Sequence, residues 1–154
     1  EIAKKVVFYP CCAIDFDYPT ELLGTTENIF TFCDVRRNSH WQAYKKSNPG
    51  SQFLKTDAWE AIKKLERVDI LFYRRDGMSE GGSGIEVLGD DYLSSVFFKL
   101  PAEGGSIITD GSNAFGTRLD YMLSGRLRIG NFVVLLENNS RYGDALYEFK
   151  VSPA

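Results

Sequence analysis

Few residues in this chain are equipped for chemistry, and their spacing narrows what that chemistry could be. Its three cysteines, Cys11, Cys12 and Cys33, together with its one histidine, His40, match a zinc set by number alone. Zinc sites are built on close ligand pairs such as C-x-x-C, which this chain lacks, and adjacent cysteines on a strand point to opposite faces. The thiols therefore read as buried structural groups, because free cysteine behaves as a small apolar side chain, and no metal is expected. His40 is the one imidazole available to any acid or base scheme. Its neighbours Asn38, Ser39 and Trp41 put it at a loop-to-helix junction, exposed or capping. Ser83 in GGSG and Ser112 in DGSN lie outside a G-x-S-x-G elbow, so serine hydrolysis is not indicated.

Two polar loops hold the remaining candidates. In 74–84 (RRDGMSEGGSG) the glycines could let backbone N–H groups cradle an anion, and Arg74 and Arg75 could pair with carboxylate or phosphate. The P-loop lysine is missing, and the same composition suits a lid or a plain surface loop. Asp110-Gly111-Ser112-Asn113 reads either as an Asx-type turn or as a ligand contact. The ligand or partner residues expected here are Arg74, Arg75, Asp76, Asp110, Ser112 and Asn113. Asp15, Asp17, Asp34, Asp76 and Asp110 would form an acidic rim facing the arginines, suited to a ligand bearing hydroxyls or to a basic protein surface.

The elements that must position these residues alternate. Lys5–Ile14 is an apolar run suited to a buried parallel strand. The segment 18–24 follows as a short helix, with Asp17 as its N-cap, Pro19 in the first turn and Gly24 closing the segment just past the helix end. Asn28–Val35 is the second strand, so the first two strands both end near an aspartate. A turn or two of helix over 39–46 and a short strand over 52–55 come next. From Asp57 the spacing of Trp59, Ile62, Leu65 and Val68 predicts a helix, with Asp57 as N-cap and Glu60 as its capping-box partner. Val68–Tyr73 reads as a strand, 91–100 as a helix with Leu93, Val96, Phe97 and Leu100 on one face, and 106–109 as a strand. An amphipathic stretch over 114–124 leads to Asn131–Glu137 and Ala145–Val151, which flank a polar turn in the pattern of an antiparallel hairpin. Alternating strands and helices with a closing hairpin predict a three-layer α/β, Rossmann-like, mostly parallel sheet ending in an antiparallel pair. Ligands in such sheets sit beyond the carboxyl ends of the strands.

Length and composition bound the rest. A chain of 154 residues, 44% hydrophobic and 25% charged, is expected to be one Rossmann-like domain over 1–154 with a single core. No apolar run reaches the roughly 20 residues of a membrane span, and the first residues lack a signal-peptide core, so a cytoplasmic protein is expected. The net charge of -3 disfavours nucleic acid as a partner.

The strand ends YPCCAIDFD at 9–17, the acid Asp34, DILFYRRDG at 69–77, GGSIITDGSN at 104–113 and the closing hairpin together resemble class I S-adenosylmethionine-dependent methyltransferases. The resemblance implies that Asp34 is the ribose-binding acid and Asp15 an acid of the first loop, with Tyr9, Asp15 and Asp34 as cofactor-binding positions. Where that family has glycines in its first loop, this chain has Pro10-Cys11-Cys12-Ala13. Two functions follow. One is a non-catalytic binding protein on a methyltransferase-like scaffold, without a cofactor, sequestering a basic protein partner as an immunity or inhibitor protein would. The other is a minimal methyltransferase using S-adenosylmethionine.

Overall fold

A computed structural model describes residues 3–36, 38–76, 82–138, 142–143 and 145–154. The elements run β1 (Lys5–Pro10), α1 (Asp17–Leu23), β2 (Asn28–Asp34), α2 (Trp41–Ser47), β3 (Gln52–Lys55), α3 (Ala58–Lys64) and β4 (Ile70–Tyr73). They continue with α4 (Asp90–Phe98), β5 (Gly105–Thr109), α5 (Arg118–Leu123), β6 (Arg128–Ile129), β7 (Phe132–Leu136) and β8 (Tyr147–Pro153). One 8-stranded sheet has the order β3-β2-β1-β4-β5-β8-β7-β6. The first five strands pair in parallel, while β8 pairs antiparallel with both β5 and β7. The expected α/β class, parallel core and closing hairpin are all present.

Side-chain alternation makes this sheet the middle of three layers. On β1, Val7 and Tyr9 face one cluster and Phe8 the other, and β4 divides Phe72 from Leu71 and Tyr73 in the same way. Tyr44 of α2 and the partly buried Leu22 of α1 cover the first face. Ala61 of α3, Leu93 of α4 and Met122 of α5 cover the second. Because both faces are covered, the inner strands are apolar on both sides.

Several boundaries move from their expected places for local reasons. β1 ends at Pro10 rather than Ile14, because Cys11 (φ 58°) and Ala13 (φ 50°) adopt left-handed backbone that no strand accommodates. α1 starts at Asp17 itself, with Phe16 in the cap position and no side-chain cap bond. In α3 the expected cap forms, with Asp57 Oδ1 accepting from Glu60 N at 2.8 Å. The helix stops at Lys64, where Leu65 turns extended; Leu65 and Val68 are still buried, beyond the helix rather than on its face. The stretch over 114–124 is helical only from Arg118, and β6 is a strand of 2 residues that the sequence pattern does not reveal.

Close backbone approach explains the glycines before β5. A Cβ on Gly105 would lie 2.3 Å from the Asp69 carbonyl oxygen, and one on Gly104 (φ 97°) 2.0 Å from that of Val151. Only glycine lets β5 enter the sheet between β4 and β8 at this point.

Candidate functional site

A cleft of about 250 Å³ opens at the carboxyl ends of β1, β2, β3 and β4. Its lining includes Cys11, Ala13, Cys33, Asp34, Asp57 and Asp76. This is where the strand order reverses, with β1 flanked by β2 on one side and β4 on the other, the usual ligand position in an open α/β sheet.

The floor is the turn after β1. Cys12 N donates to Cys33 O at 3.0 Å, tying the chain to β2 two residues beyond the end of β1. Cys11 and Ala13, both in left-handed backbone that glycine adopts most readily, then line the cleft. Asp34, at the end of β2, holds the turn. Its Oδ2 accepts from Ala13 N at 2.8 Å and its Oδ1 from Arg36 N at 2.9 Å, with Arg36 Nε 3.9 Å from Oδ1. Asn38 Nδ2 adds a bond to Ala13 O at 2.7 Å.

The wall beyond β4 is a polar knot around Asp76. Tyr73 OH donates to Asp76 Oδ2 at 2.5 Å, Ser83 N to Oδ1 at 2.7 Å and Asn113 Nδ2 to Oδ2 at 3.2 Å, and Ser83 Oγ also bonds Oδ2. Asn113 Nδ2 donates to Tyr73 OH at 2.8 Å as well. The ends of β4 and β5 and residue Ser83 are thereby tied to one carboxylate.

Six of the predicted site positions divide between two places, and Asp110, Ser112 and Asn113 line neither. Asp34, Asp76 and Arg75 line the cleft. Tyr9, Asp15 and Arg74 do not; they lie around a second, larger depression of about 590 Å³ on the other side of the β1 turn, which Arg75 also borders. There Tyr9 OH donates to Asp15 Oδ2 at 2.6 Å, and Arg74 clamps the same carboxylate through Nε at 2.6 Å and NH2 at 2.8 Å. The Arg74 guanidinium also stacks 3.8 Å above the Tyr18 ring. Asp110 closes an Asx-type turn, accepting from Ser112 N at 2.9 Å and from the Ser112 hydroxyl, and it also accepts Arg75 N at 2.9 Å. Of the loop at 74–84, residues 77–81 lie outside the described residues, as do 139–141 and 144 of the hairpin turn. His40 occupies the cap position of α2 without a side-chain cap bond, its own N–H donating to Asn38 Oδ1.

Asp57 is the cleft residue that sequence reasoning missed. Its capping role is so clear that it hides the other signal, an acid at or shortly past the carboxyl end of a strand, seen here beyond β3 as it is at the end of β2 and beyond β1. Among the described residues no cluster of histidine, cysteine, aspartate and glutamate could hold a metal ion.

Electrostatically the site favours protonated thiols and phenols. Burial pushes the Cys11 and Cys33 thiols up to about 12, with only partial relief from a Ser83 hydrogen bond to Cys11 and a Cys11 backbone bond to Cys33. Burial, followed by nearby negative charge, raises Cys12 too. Tyr73 is raised by burial and then by its bond to Asp76. None of these groups is a nucleophile at neutral pH, since thiolate is the reactive form. The folded state thus keeps protons that the unfolded chain releases from about pH 9. Its stabilisation is intact below pH 9 and lost as pH rises toward 12. Thermal midpoints followed by circular dichroism are expected to be level up to about pH 8.5 and then fall steadily through pH 11. A midpoint level through pH 11 would contradict the buried, protonated thiols.

No family model and no curated sequence matches the chain. Solved structures do. TrmN from Thermus thermophilus superposes with a TM-score of 0.60 at 16% identity, covering 99% of this chain and 45% of that one. SMU.1697c from Streptococcus mutans, solved in complex with SAH, gives 0.59 at 11% identity, covering 99% of this chain and 90% of that one. An rRNA methylase from Streptococcus thermophilus gives 0.58 at 9% identity, with coverages of 97% and 87%. The parallel strand order, the closing antiparallel pair and these likenesses agree, and the chain has the methyltransferase-like Rossmann fold.

Proposed function

We propose that the cleft binds S-adenosylmethionine and that the chain acts as a small S-adenosylmethionine-dependent methyltransferase. The observation that carries this reading is the pairing of Asp34 with the left-handed backbone at Cys11 and Ala13 in one cleft at the strand-order reversal. Each Asp34 oxygen accepts one backbone N–H, and a carboxylate oxygen has a second lone pair, so both remain able to accept from ribose hydroxyls. Asp57 offers its free oxygen to a further donor such as an amino group. The volume, about 250 Å³, suits the nucleoside part of such a ligand, just under the roughly 300 Å³ at which pockets for drug-sized molecules begin. A likeness to a structure solved with SAH supports the same choice.

Bound S-adenosylmethionine supplies a methyl group on a positively charged sulfur. The chain's own residues bind and orient. Asp34, Asp57 and Asp76 provide negative charge around the cleft, and Cys11 and Cys33, held protonated by burial, do not compete as nucleophiles for the methyl group. With Arg74 engaged by Asp15, Asp17 and Glu21 outnumber Arg75 around the adjoining depression and favour a basic protein surface as the partner.

Calorimetric titration with S-adenosylmethionine and with S-adenosylhomocysteine tests the reading. Saturable binding in the micromolar range is expected for both. No heat with either ligand at millimolar concentration, from protein shown to be folded by circular dichroism, would sink it.

A further inference from the structure

On the face of the sheet covered by α3 and α4, the outer surface of the two helices carries apolar side chains that the fold does not use. Phe98, the last residue of α4, is 86% exposed, while Val96 and Phe97 just before it are buried. Trp59 on α3 packs edge-on against Tyr92, with ring centres 4.9 Å apart, and leaves 39% of its surface open. Between them lies a groove of about 400 Å³ lined by Trp59, Ile62, Lys63, Ser94, Ser95, Phe98 and Lys99.

The charge of this lining is unlike that of the whole chain. The molecule carries a net charge of -3, but the groove presents Lys63 and Lys99 and no carboxylate. Lys63 reaches Glu60 one turn back at 3.1 Å, an exposed pair with side chains 68% and 52% accessible. Such a pair contributes little and leaves the ammonium group free to change partners. A second copy of the chain laid groove to groove would place lysines against lysines, because a two-fold contact brings the same patch to both sides. An apolar slot with an aromatic at each side and two cations at its rim instead complements a segment that brings apolar anchors and carboxylates together.

We propose that the α3–α4 groove is a docking surface for an acidic, apolar-anchored segment of a partner protein. Its apolar anchor seats between Trp59 and Phe98, and its carboxylates meet Lys63 and Lys99. The groove shares no lining residue with the cleft at the strand ends, and the proposal is independent of whether the cleft binds S-adenosylmethionine.

The probe is a labelled helical peptide of roughly four turns, made of leucine and glutamate with the leucines at i, i+3, i+4 and i+7. Fluorescence anisotropy is expected to show saturable binding that Phe98→Ser weakens about 10-fold. The double variant Lys63→Glu/Lys99→Glu is expected to lose the glutamate peptide and bind its lysine counterpart instead. Phe98→Ser removes an exposed ring, so the variant is expected to unfold at the same temperature as the parent. The proposal is overturned by absence of saturation, by equal binding to folded Phe98→Ser, or by retention of the glutamate peptide in the double variant. It is equally overturned if the groove serves another occupant. That would be seen as sedimentation of a dimer that Phe98→Ser disperses, or as Phe98-dependent binding to phosphatidylglycerol vesicles by a chain that ignores the peptide.

Discussion

Asp34→Ala is expected to weaken S-adenosylhomocysteine binding by about 100-fold and to lower stability by about 1–3 kcal/mol. The two effects have separate origins. On the proposed reading the carboxylate accepts from ribose hydroxyls, and hydrogen bonds to a charged group contribute roughly 1.5–3 kcal/mol each, so one strong or two ordinary bonds account for the loss in affinity. In the free protein the same carboxylate satisfies Ala13 N and Arg36 N, and its side chain is 9% accessible. Truncation leaves both donors short of a partner. Asp34→Asn keeps one acceptor oxygen but turns an amide NH2 toward the other donor, so it is expected to recover part of the stability and little of the affinity. Titration calorimetry and urea unfolding separate the two. Undiminished affinity in a folded Asp34→Ala protein would remove Asp34 from the binding site.

Phe16→Ala is expected to cost about 3–5 kcal/mol of unfolding free energy, more than the loss of the Asp34 carboxylate. Phe16 follows the β1 turn, is 2% exposed, and has its ring 4.9 Å from Phe32, 5.4 Å from both Trp41 and Tyr44, and 6.0 Å from Phe53. Those four partners come from β2, α2 and β3, so one ring joins the turn to three elements. Deleting it removes a large buried surface and leaves a void that the interlocked neighbouring rings cannot fill. Urea unfolding checks this through a lowered midpoint at an unchanged slope, and a loss under about 1 kcal/mol would show that the cluster repacks around the gap. The turn that carries Asp15 ends on this ring, so a smaller side chain is also expected to loosen the Asp15–Arg74 clamp.

Elements whose burial is periodic are legible in the amino-acid sequence. The spacing of Leu93, Val96 and Phe97 defines α4, and the bounds of β3 coincide with those expected from composition. Boundaries set by backbone torsion are not legible, because hydrophobicity carries no information about the sign of φ. Thus Cys11 and Ala13 extend an apolar run while ending the strand. β6 is too short for any periodicity. For the site, an acid near a strand end lies in the cleft lining at Asp34, whereas Asp15 obeys the same pattern yet lies across the turn with Arg74. Sequence marks the end of the sheet where a side chain emerges, but the conformation of a few turn residues decides on which side of the turn it points.

The position of β8 has a consequence for the order of assembly. β8 follows every other strand in the chain, yet it lies between β5 and β7 in the sheet, with Gly105 opposite Val151 and Val134 opposite Val151 on its other side. The parallel strands β3, β2, β1, β4 and β5 can associate first, but until β8 arrives, β5 is a bare edge of unpaired amides and carbonyls beside apolar Ile107 and Ile108. Such an edge recruits other chains. Closing it needs a long-range pairing across α5, β6 and β7, which is slow because the loop entropy is spent before the contacts form. Refolding yield should therefore fall as protein concentration rises, with insertion of this one strand setting the pace.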